Sequence, residues 1–448
     1  MKKKSTLLSV LALLCIALYV TVISTNSDKN IKKYPAEKKT IFSVMEKSFP
    51  DSVKKFFKKI RVKFISRSDE FIFDLVMPST QIDDTEYKLS KYSNIDLIPL
   101  GPRSYIGKFD DNILIMTGTG TLIYSPISKF KNNKILFKQI KTNFQKLVGV
   151  DFISEERIIT RSILVKKNIL YVSYIKKVNE KCYMNSILSA KINLEKIKFS
   201  EIFNTGECYP VFGNQDGGYL ADYKKNEVLF SIGDWDWESV GLADPQKKNN
   251  LKGKIISINL DTQKFTIKAM GFRNPQGIFY DKKNDIIIST DHGPQGGDEI
   301  NFNKDTNSEK IKNYGWPVSS YGEHYGFPEK KMLDEYSRAP LYKSHKKYGF
   351  IEPFKYFVPS IAPSQVIKTK AFDSEEENII YLAAMGYDVE EGDLSVHKFT
   401  LTEDLRIKNH LILPIGERVR DMFYIEELNK ILLFLESSGS IGLLEKLN

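Results

Sequence analysis

A short unit recurs six times along this chain, and the recurrence limits its fold more than any other feature. Each copy is a polar turn with asparagine followed by an apolar run. The copies read Asp111-Asn112-Ile113-Leu114-Ile115, Lys167-Asn168-Ile169-Leu170-Tyr171, Asn226-Glu227-Val228-Leu229-Phe230, Asn284-Asp285-Ile286-Ile287-Ile288, Asn378-Ile379-Ile380-Tyr381 and Asn429-Lys430-Ile431-Leu432-Leu433. The marker asparagines are 56, 58, 58, 94 and 51 residues apart. A period in the fifties suits one four-stranded sheet with its loops, so six copies predict an all-β chain folded as a six-bladed β-propeller. The 94-residue step predicts an insertion over about 300–350, lying over one mouth of the central channel. Most Ile, Leu and Val of the repeated runs are read as core between sheets.

Ahead of the repeats the chain has a different character. Met1–Thr6 is basic, and Leu7–Ile23 is an uncharged apolar run of 17 residues, near the lower limit for crossing a bilayer. Ser24-Thr25-Asn26-Ser27 follows without a small-x-small cleavage signature, so residues 1–27 are read as an uncleaved signal anchor, with a cleaved signal peptide as the alternative. Residues 28–80 form a basic juxtamembrane arm. Within it Val53, Phe56, Phe57, Ile60 and Phe64 repeat at helical spacing, opposite Lys54, Lys55, Lys58 and Lys59, after Pro50. This predicts a short amphipathic helix, lying on an anionic membrane surface or packed on the body with its lysines in water. Residues 81–448 are the propeller, expected outside the cytoplasm, in the periplasm. The lysines that follow the apolar run outnumber those before it, which by the positive-inside rule argues the other way.

Charge sorts the function classes. The whole chain carries +10, while residues 2–4 and 28–64 together carry +11, so the body is close to neutral. A nucleic-acid-binding body would spread basic residues over a folded face, and no nucleic-acid partner is expected. Cys15 lies in the apolar run. Cys182 and Cys208 are either a disulfide, if the domain is exported, or two buried thiols.

The densest motif segment is Gly271-Phe272-Arg273-Asn274-Pro275-Gln276-Gly277, then Asp291-His292-Gly293-Pro294-Gln295-Gly296-Gly297-Asp298-Glu299-Ile300-Asn301, then Asn313-Tyr314-Gly315-Trp316-Pro317. In order and spacing it resembles the glucose/sorbosone dehydrogenase family. Leu251-Lys252-Gly253-Lys254-Ile255, Ser360-Ile361-Ala362-Pro363-Ser364 and Arg418-Val419-Arg420-Asp421 extend the likeness over about 205–440. The resemblance implies calcium-bound pyrroloquinoline quinone (PQQ) and oxidation of a sugar or sugar-like alcohol or aldose, with a downstream electron acceptor. It implies Arg273, Asn274, Gln276, Arg418 and Arg420 for the cofactor. A tricarboxylate quinone needs such permanently charged, bidentate donors. It implies the carbonyls of Gly293 and Pro294 as calcium ligands, and Glu299 and Tyr314 at a second calcium, oxygen donors that suit this hard ion. Asp298 is expected to brace the loop, and His292 to serve as a loop hydrogen-bonder rather than a catalyst.

Two departures weigh against catalysis. The family's general-base histidine falls on Gln215 in Gly213-Asn214-Gln215-Asp216-Gly217-Gly218-Tyr219-Leu220. An amide is no base near neutral pH, and the adjacent Asp216 is the candidate replacement. The lysine expected in the fifth repeat is missing from Ala384-Met385-Gly386-Tyr387. The competing reading is a catalytically degenerate propeller that binds a ligand or protein at the membrane.

Overall fold

The computed structural model describes residues 68–447 apart from 95–96, 98–99, 101–102, 211, 214, 236–243, 327–332, 370–371, 373–377 and 388–390. The anchor at 7–23, the arm up to residue 67 and the amphipathic helix at 53–64 lie outside the described residues. Among the described residues no helix is long and apolar enough to cross a membrane.

The described chain is sheet-rich, arranged as six groups of four strands. The first holds Ser104–Phe109, Asn112–Thr117, Leu122–Pro126 and Lys134–Thr142. The second runs from Thr160–Lys166 to Ser200–Asn204, the third from Gly217–Asp222 to Phe265–Met270 and the fourth from Pro275–Asp281 to Lys355–Phe357. The fifth runs from Pro363–Thr369 to Ile407–Pro414. The sixth takes Val419–Ile425, Lys430–Leu435 and Ser440–Lys446 from the C-terminal end, and Tyr87–Ser93 from the far end of the chain.

The first strand of each group packs on the first strand of the next, and the sixth returns to the first. The architecture is therefore propeller-like. Buried aliphatic and aromatic side chains fill the space between successive sheets, for example Leu114, Val172 and Val228 across the first three. Five marker asparagines stand at or directly before the second strand of their sheet, and Asn284 stands two residues ahead of Ile286–Asp291. Several turn residues there have left-handed backbone, including Asn168, Asp285 and Asn429, with φ of 59°, 50° and 50°. Asn and Asp tolerate that region best among residues with side chains, which is why the repeat is legible as sequence.

One boundary differs from expectation. Glu70–Gln81, placed in the arm by sequence, is a strand pairing with both Tyr87–Ser93 and Lys134–Thr142, so it bridges the sixth and first sheets. Phe71 and Phe73 alternate inward there between exposed Glu70, Ile72 and Asp74, a period-two pattern. The long gap between the fourth and fifth markers holds the segment between Asp298–Lys304 and Lys355–Phe357. It carries a short helix, Leu333–Arg338, and a two-residue strand at Lys312–Asn313 that pairs with the third sheet.

Cys182 and Cys208 are joined as a disulfide, tying the second sheet to the segment leading into the third. Tyr183 and Tyr209 exchange backbone hydrogen bonds beside it, both at 2.9 Å. Closing this loop restricts the unfolded chain, and the Cys182→Ser/Cys208→Ser variant is expected to lose about 3 kcal/mol in urea unfolding. A loss under about 1 kcal/mol would show that the crosslink contributes little to the fold.

Candidate functional site

The beginnings of the six inner strands share one end of the ring, as their mutual contacts show. Arg161 reaches Asp216, between the second and third strands. Gly217 N donates to Asn274 Oδ1 between the third and fourth at 3.2 Å. A Cβ on Gly277 would meet Ser364 O at 2.2 Å, so only glycine allows the fourth and fifth to approach this closely. Ser364 Oγ donates to Val419 O at 2.6 Å, and Ile106 N donates to Asp421 Oδ2 at 2.7 Å, completing the circle.

Arginines gather at this end. Gln276 Nε2 donates to Asn274 Oδ1 at 2.8 Å, and its Oε1 accepts from Arg420 Nη1 at 3.2 Å. That relay brings the Arg273-Asn274 strand start and Arg420 to one place. Arg420 is ion-paired with Glu436, which also faces Arg418 at 3.6 Å. Burial alone would raise the Glu436 carboxyl, but Arg420, Arg103 and Arg418 hold it below the usual carboxylate range. Arg418 Nη1 also donates to Met385 O, and the guanidinium lies 4.8 Å from the Tyr387 ring, which is 84% exposed.

Arg273 is held by backbone and rings. Its Nη1 donates to His292 O at 3.1 Å and Gly293 O at 2.7 Å, and Nη2 donates to the Tyr325 hydroxyl at 3.2 Å. Trp316 and Tyr325, both from the inserted segment, each place a ring 5.6 Å from it. Such ring faces favour a guanidinium.

The two base candidates are placed differently from a base. The buried amide of Gln215 donates to Asp234 Oδ1 at 2.9 Å and accepts from Arg273 Nη2 at 3.0 Å. Asp234 also accepts from Trp316 Nε1 at 2.8 Å. Asp216 is fully buried and accepts from Arg161 Nε at 2.8 Å and Nη2 at 2.5 Å, one bond to each carboxylate oxygen. A carboxylate held this way has both oxygens engaged by a guanidinium rather than turned to a substrate proton. The expectation that Asp216 replaces the missing base is corrected on this ground. His292 offers no substitute. Burial, followed by the charges of Arg273, Arg420 and Arg418, pushes its imidazole down to about 3, and Nε2 is hydrogen-bonded to Pro363 O at 2.7 Å.

The loop from His292 to Glu299 is braced as expected by Asp298. Its Oδ1 accepts from Gly293 N at 2.8 Å, and its Oδ2 accepts from Ile361 N and Ala362 N at 2.8 and 2.7 Å. Burial raises this carboxyl to about 7 despite those donors.

Three of the four residues assigned to calcium by resemblance, Gly293, Pro294 and Glu299, have other partners for their oxygens. Gly293 O accepts from Arg273, and Pro294 O accepts from Ser360 Oγ at 3.3 Å. Glu299 Oε1 lies 3.1 Å from His345 Nε2, while Oε2 accepts from Asn301 Nδ2 at 3.0 Å. The Tyr314 hydroxyl is buried without a hydrogen-bond partner. Calcium takes six to eight oxygen ligands, and among the described residues no three His, Cys, Asp or Glu side chains come together to hold a metal. As arranged, these residues do not fit a calcium ion: the Arg273 guanidinium stands against Gly293 O, and His345 and Asn301 occupy the Glu299 carboxylate. Excess EGTA is accordingly expected to leave the melting temperature within about 1 °C, whereas a loss of several degrees would show a resident stabilising ion.

Sequence reasoning missed Arg103, Arg161, Tyr325 and Glu436. Arg103 and Arg161 lie at the start of the first and second inner strands, the places equivalent to Arg273 and Arg418 in later repeats. The repeat itself held the signal: Gln215, Arg273 and Arg418 each stand eleven residues before their marker asparagine, and Arg103 and Arg161 stand nine and seven before theirs.

Comparison with known proteins agrees with this geometry. Residues 158–442 match the model of the Glucose / Sorbosone dehydrogenase family. Aldose sugar dehydrogenase YliI of Escherichia coli (strain K12) is 27% identical over 245 residues, covering 51% of this chain and 59% of that protein. The uncharacterized protein slr1608 of Synechocystis is 28% identical over 244 residues, covering 49% of this chain and 53% of that protein. The aligned part is thus little more than half the length of either relative. An uncharacterized protein of Borreliella burgdorferi is 28% identical over 307 residues, covering 64% of this chain and 67% of that protein. Among solved structures, a glucose dehydrogenase superposes with a TM-score of 0.60 at 18% identity, covering 77% of this chain and 96% of its own. The PQQ domain of pyranose dehydrogenase from Coprinopsis cinerea does so with 0.57 at 11%, covering 77% and 93%. At such identities these structures speak for the fold. The family match spans well over half the chain, and its segment holds Arg273, Arg418 and Arg420 together, so this chain belongs to the glucose/sorbosone dehydrogenase family.

Proposed function

We propose that this chain is a sugar dehydrogenase-like protein on a six-bladed propeller that binds a polycarboxylate quinone of the PQQ type among its arginines. The observation that carries the reading is the cluster itself. Arg273, Arg418 and Arg420 come together where the inner strands begin, joined through Asn274, Gln276 and the carboxylate of Glu436, and Arg103 stands at the start of the first inner strand at the same end. Gathering like charges at a partly buried place costs free energy that an anionic ligand offsets.

When bound, such a quinone supplies a two-electron oxidant able to accept hydride from a sugar hydroxyl or aldose carbon. Arg273, Arg418 and Arg420 would hold its carboxylates, and Asn274 and Gln276 would fix its orientation through amide contacts. Tyr325 and Tyr387, both exposed beside arginines, would cover its faces. Calcium forms no part of this proposal, because the Gly293, Pro294 and Glu299 oxygens implied for it have protein partners.

One observation favours a second reading, binding without turnover. The Gln215 amide is fixed between Asp234 and Arg273 where the family has its base. Dye reduction by the purified protein with PQQ and a panel of aldoses separates the two. Turnover supports the dehydrogenase, with Gln215→His expected to raise it. Binding of PQQ with no turnover in either protein supports the binding module. The Cys182–Cys208 bond supports placement of the propeller in an oxidising, extracytoplasmic compartment. Detection of the chain in a spheroplast-accessible fraction tests this.

A further inference from the structure

We propose that Arg103 is a carboxylate-binding residue of this site, positioned to take an acidic group of the ligand that the other arginines leave unpaired. The proposal rests on the anion-binding reading above and adds a contact that neither the motifs nor the family match contains, since Arg103 lies outside residues 158–442.

The other guanidinium groups of the ring already have partners. Arg161 spends two donors on Asp216, and Arg273 donates to His292 O, Gly293 O, Tyr325 and Gln215. Arg418 donates to Met385 O, and Arg420 serves Glu436 and Gln276. Arg103 makes no hydrogen bond and no ion pair among the described residues. It is nonetheless not a surface residue in free water. It stands just before Ser104–Phe109, the inner strand of the first sheet, and is only partly accessible to solvent. Ile106, three residues on, is tied by its N–H to Asp421, the neighbour of Arg420. Burial, then repulsion from Arg420 and Arg161, pushes the Arg103 guanidinium down to about 10, with Glu436 offsetting part of it.

The ring places these cations on three sides of the channel: Arg273 at the fourth inner strand, Arg418 and Arg420 at the sixth, and Arg103 at the first. The start of the fifth, Ile361-Ala362-Pro363, carries no charge. A planar ligand with three carboxylates would meet a guanidinium on each of three sides. A carboxylate on an acidic sugar would present the same chemistry to Arg103. A guanidinium has five donors, and one with all of them unspent in a partly buried place is available to bind an anion.

The test uses the full-length protein, its Arg103→Gln and Arg103→Lys variants, and three probes in calorimetric titration: PQQ, glucuronate and glucose. We expect Arg103→Gln to bind PQQ at least about tenfold more weakly and Arg103→Lys to fall between, as loss of one charged hydrogen-bonded contact requires. The melting temperature of unliganded Arg103→Gln should equal or exceed that of the wild type, because an unpaired cation has been removed. If PQQ affinity is unchanged but a preference for glucuronate over glucose disappears, the carboxylate belongs to the substrate and the proposal stands. Unchanged binding of both acidic probes overturns it, as does a melting temperature several degrees lower, which would make Arg103 a structural residue. Failure of the wild type to bind PQQ removes the quinone reading alone, and Arg103 is then judged on glucuronate. A wild type that binds neither acidic probe ends both.

Discussion

Replacing Asp216 with alanine is expected to lower the unfolding free energy by about 3–5 kcal/mol, among the largest single losses in this fold. The partner left behind is Arg161, whose side chain is 1% exposed while that of Asp216 is 0% exposed. Two parallel bonds between fixed planar groups define the pair, so alanine strands a full charge away from water. The same pair fastens the second inner strand to the third, and Asn185 Nδ2 donates to Asp216 O at 2.9 Å beside it. Removing both charges, as Arg161→Leu/Asp216→Ala, should recover much of the loss, because nothing charged then stays buried without a partner. Urea unfolding of the three variants measures this. A loss under about 1 kcal/mol for Asp216→Ala would mean that the carboxylate is solvated and still available as a base.

The largest effect on binding is expected at Arg273. Arg273→Gln should weaken PQQ at least about a hundredfold, since truncating one side of a desolvated charge pair costs about 2–5 kcal/mol. Arg273→Lys should recover only part of it, because an ammonium cannot reproduce the planar fork that lies near Trp316 and Tyr325. Binding should also weaken with rising salt, though less than for exposed charges, given that Arg273 is 5% exposed. Calorimetric titration at two ionic strengths reads both effects. A change under about threefold for Arg273→Gln would place the ligand elsewhere.

How far the sequence discloses this molecule depends on which physical signal each part leaves. The repeat was legible because several of the sheets open on a tight turn with left-handed backbone, as at Asn168, Asp285 and Asn429, which selects Asn or Asp, followed by a strand buried on both faces. Glu70–Gln81 was not, because a strand partly open to water carries charged residues, as Asp69, Glu70 and Asp74 do here. The convergence of Arg273 with Arg418 and Arg420 followed from motif order, and the ring supplies its cause, since the starts of inner strands share one end. Arg161 and Asp216 were beyond reach. Which carboxylate a buried arginine selects depends on distance across two sheets, and adjacency in sequence suggested a base instead. The oxygens of Gly293 and Glu299 show the same limit: their residue types suit calcium, yet their partners are Arg273 and His345.

A crystal structure of the full chain grown with PQQ examines the central idea most directly, because it locates the ligand rather than its effects. The carboxylates should lie within hydrogen-bonding distance of Arg273 and of Arg418 or Arg420, at the end of the channel where the inner strands begin. Density for the quinone at any other surface, or none at saturating concentration, would contradict it.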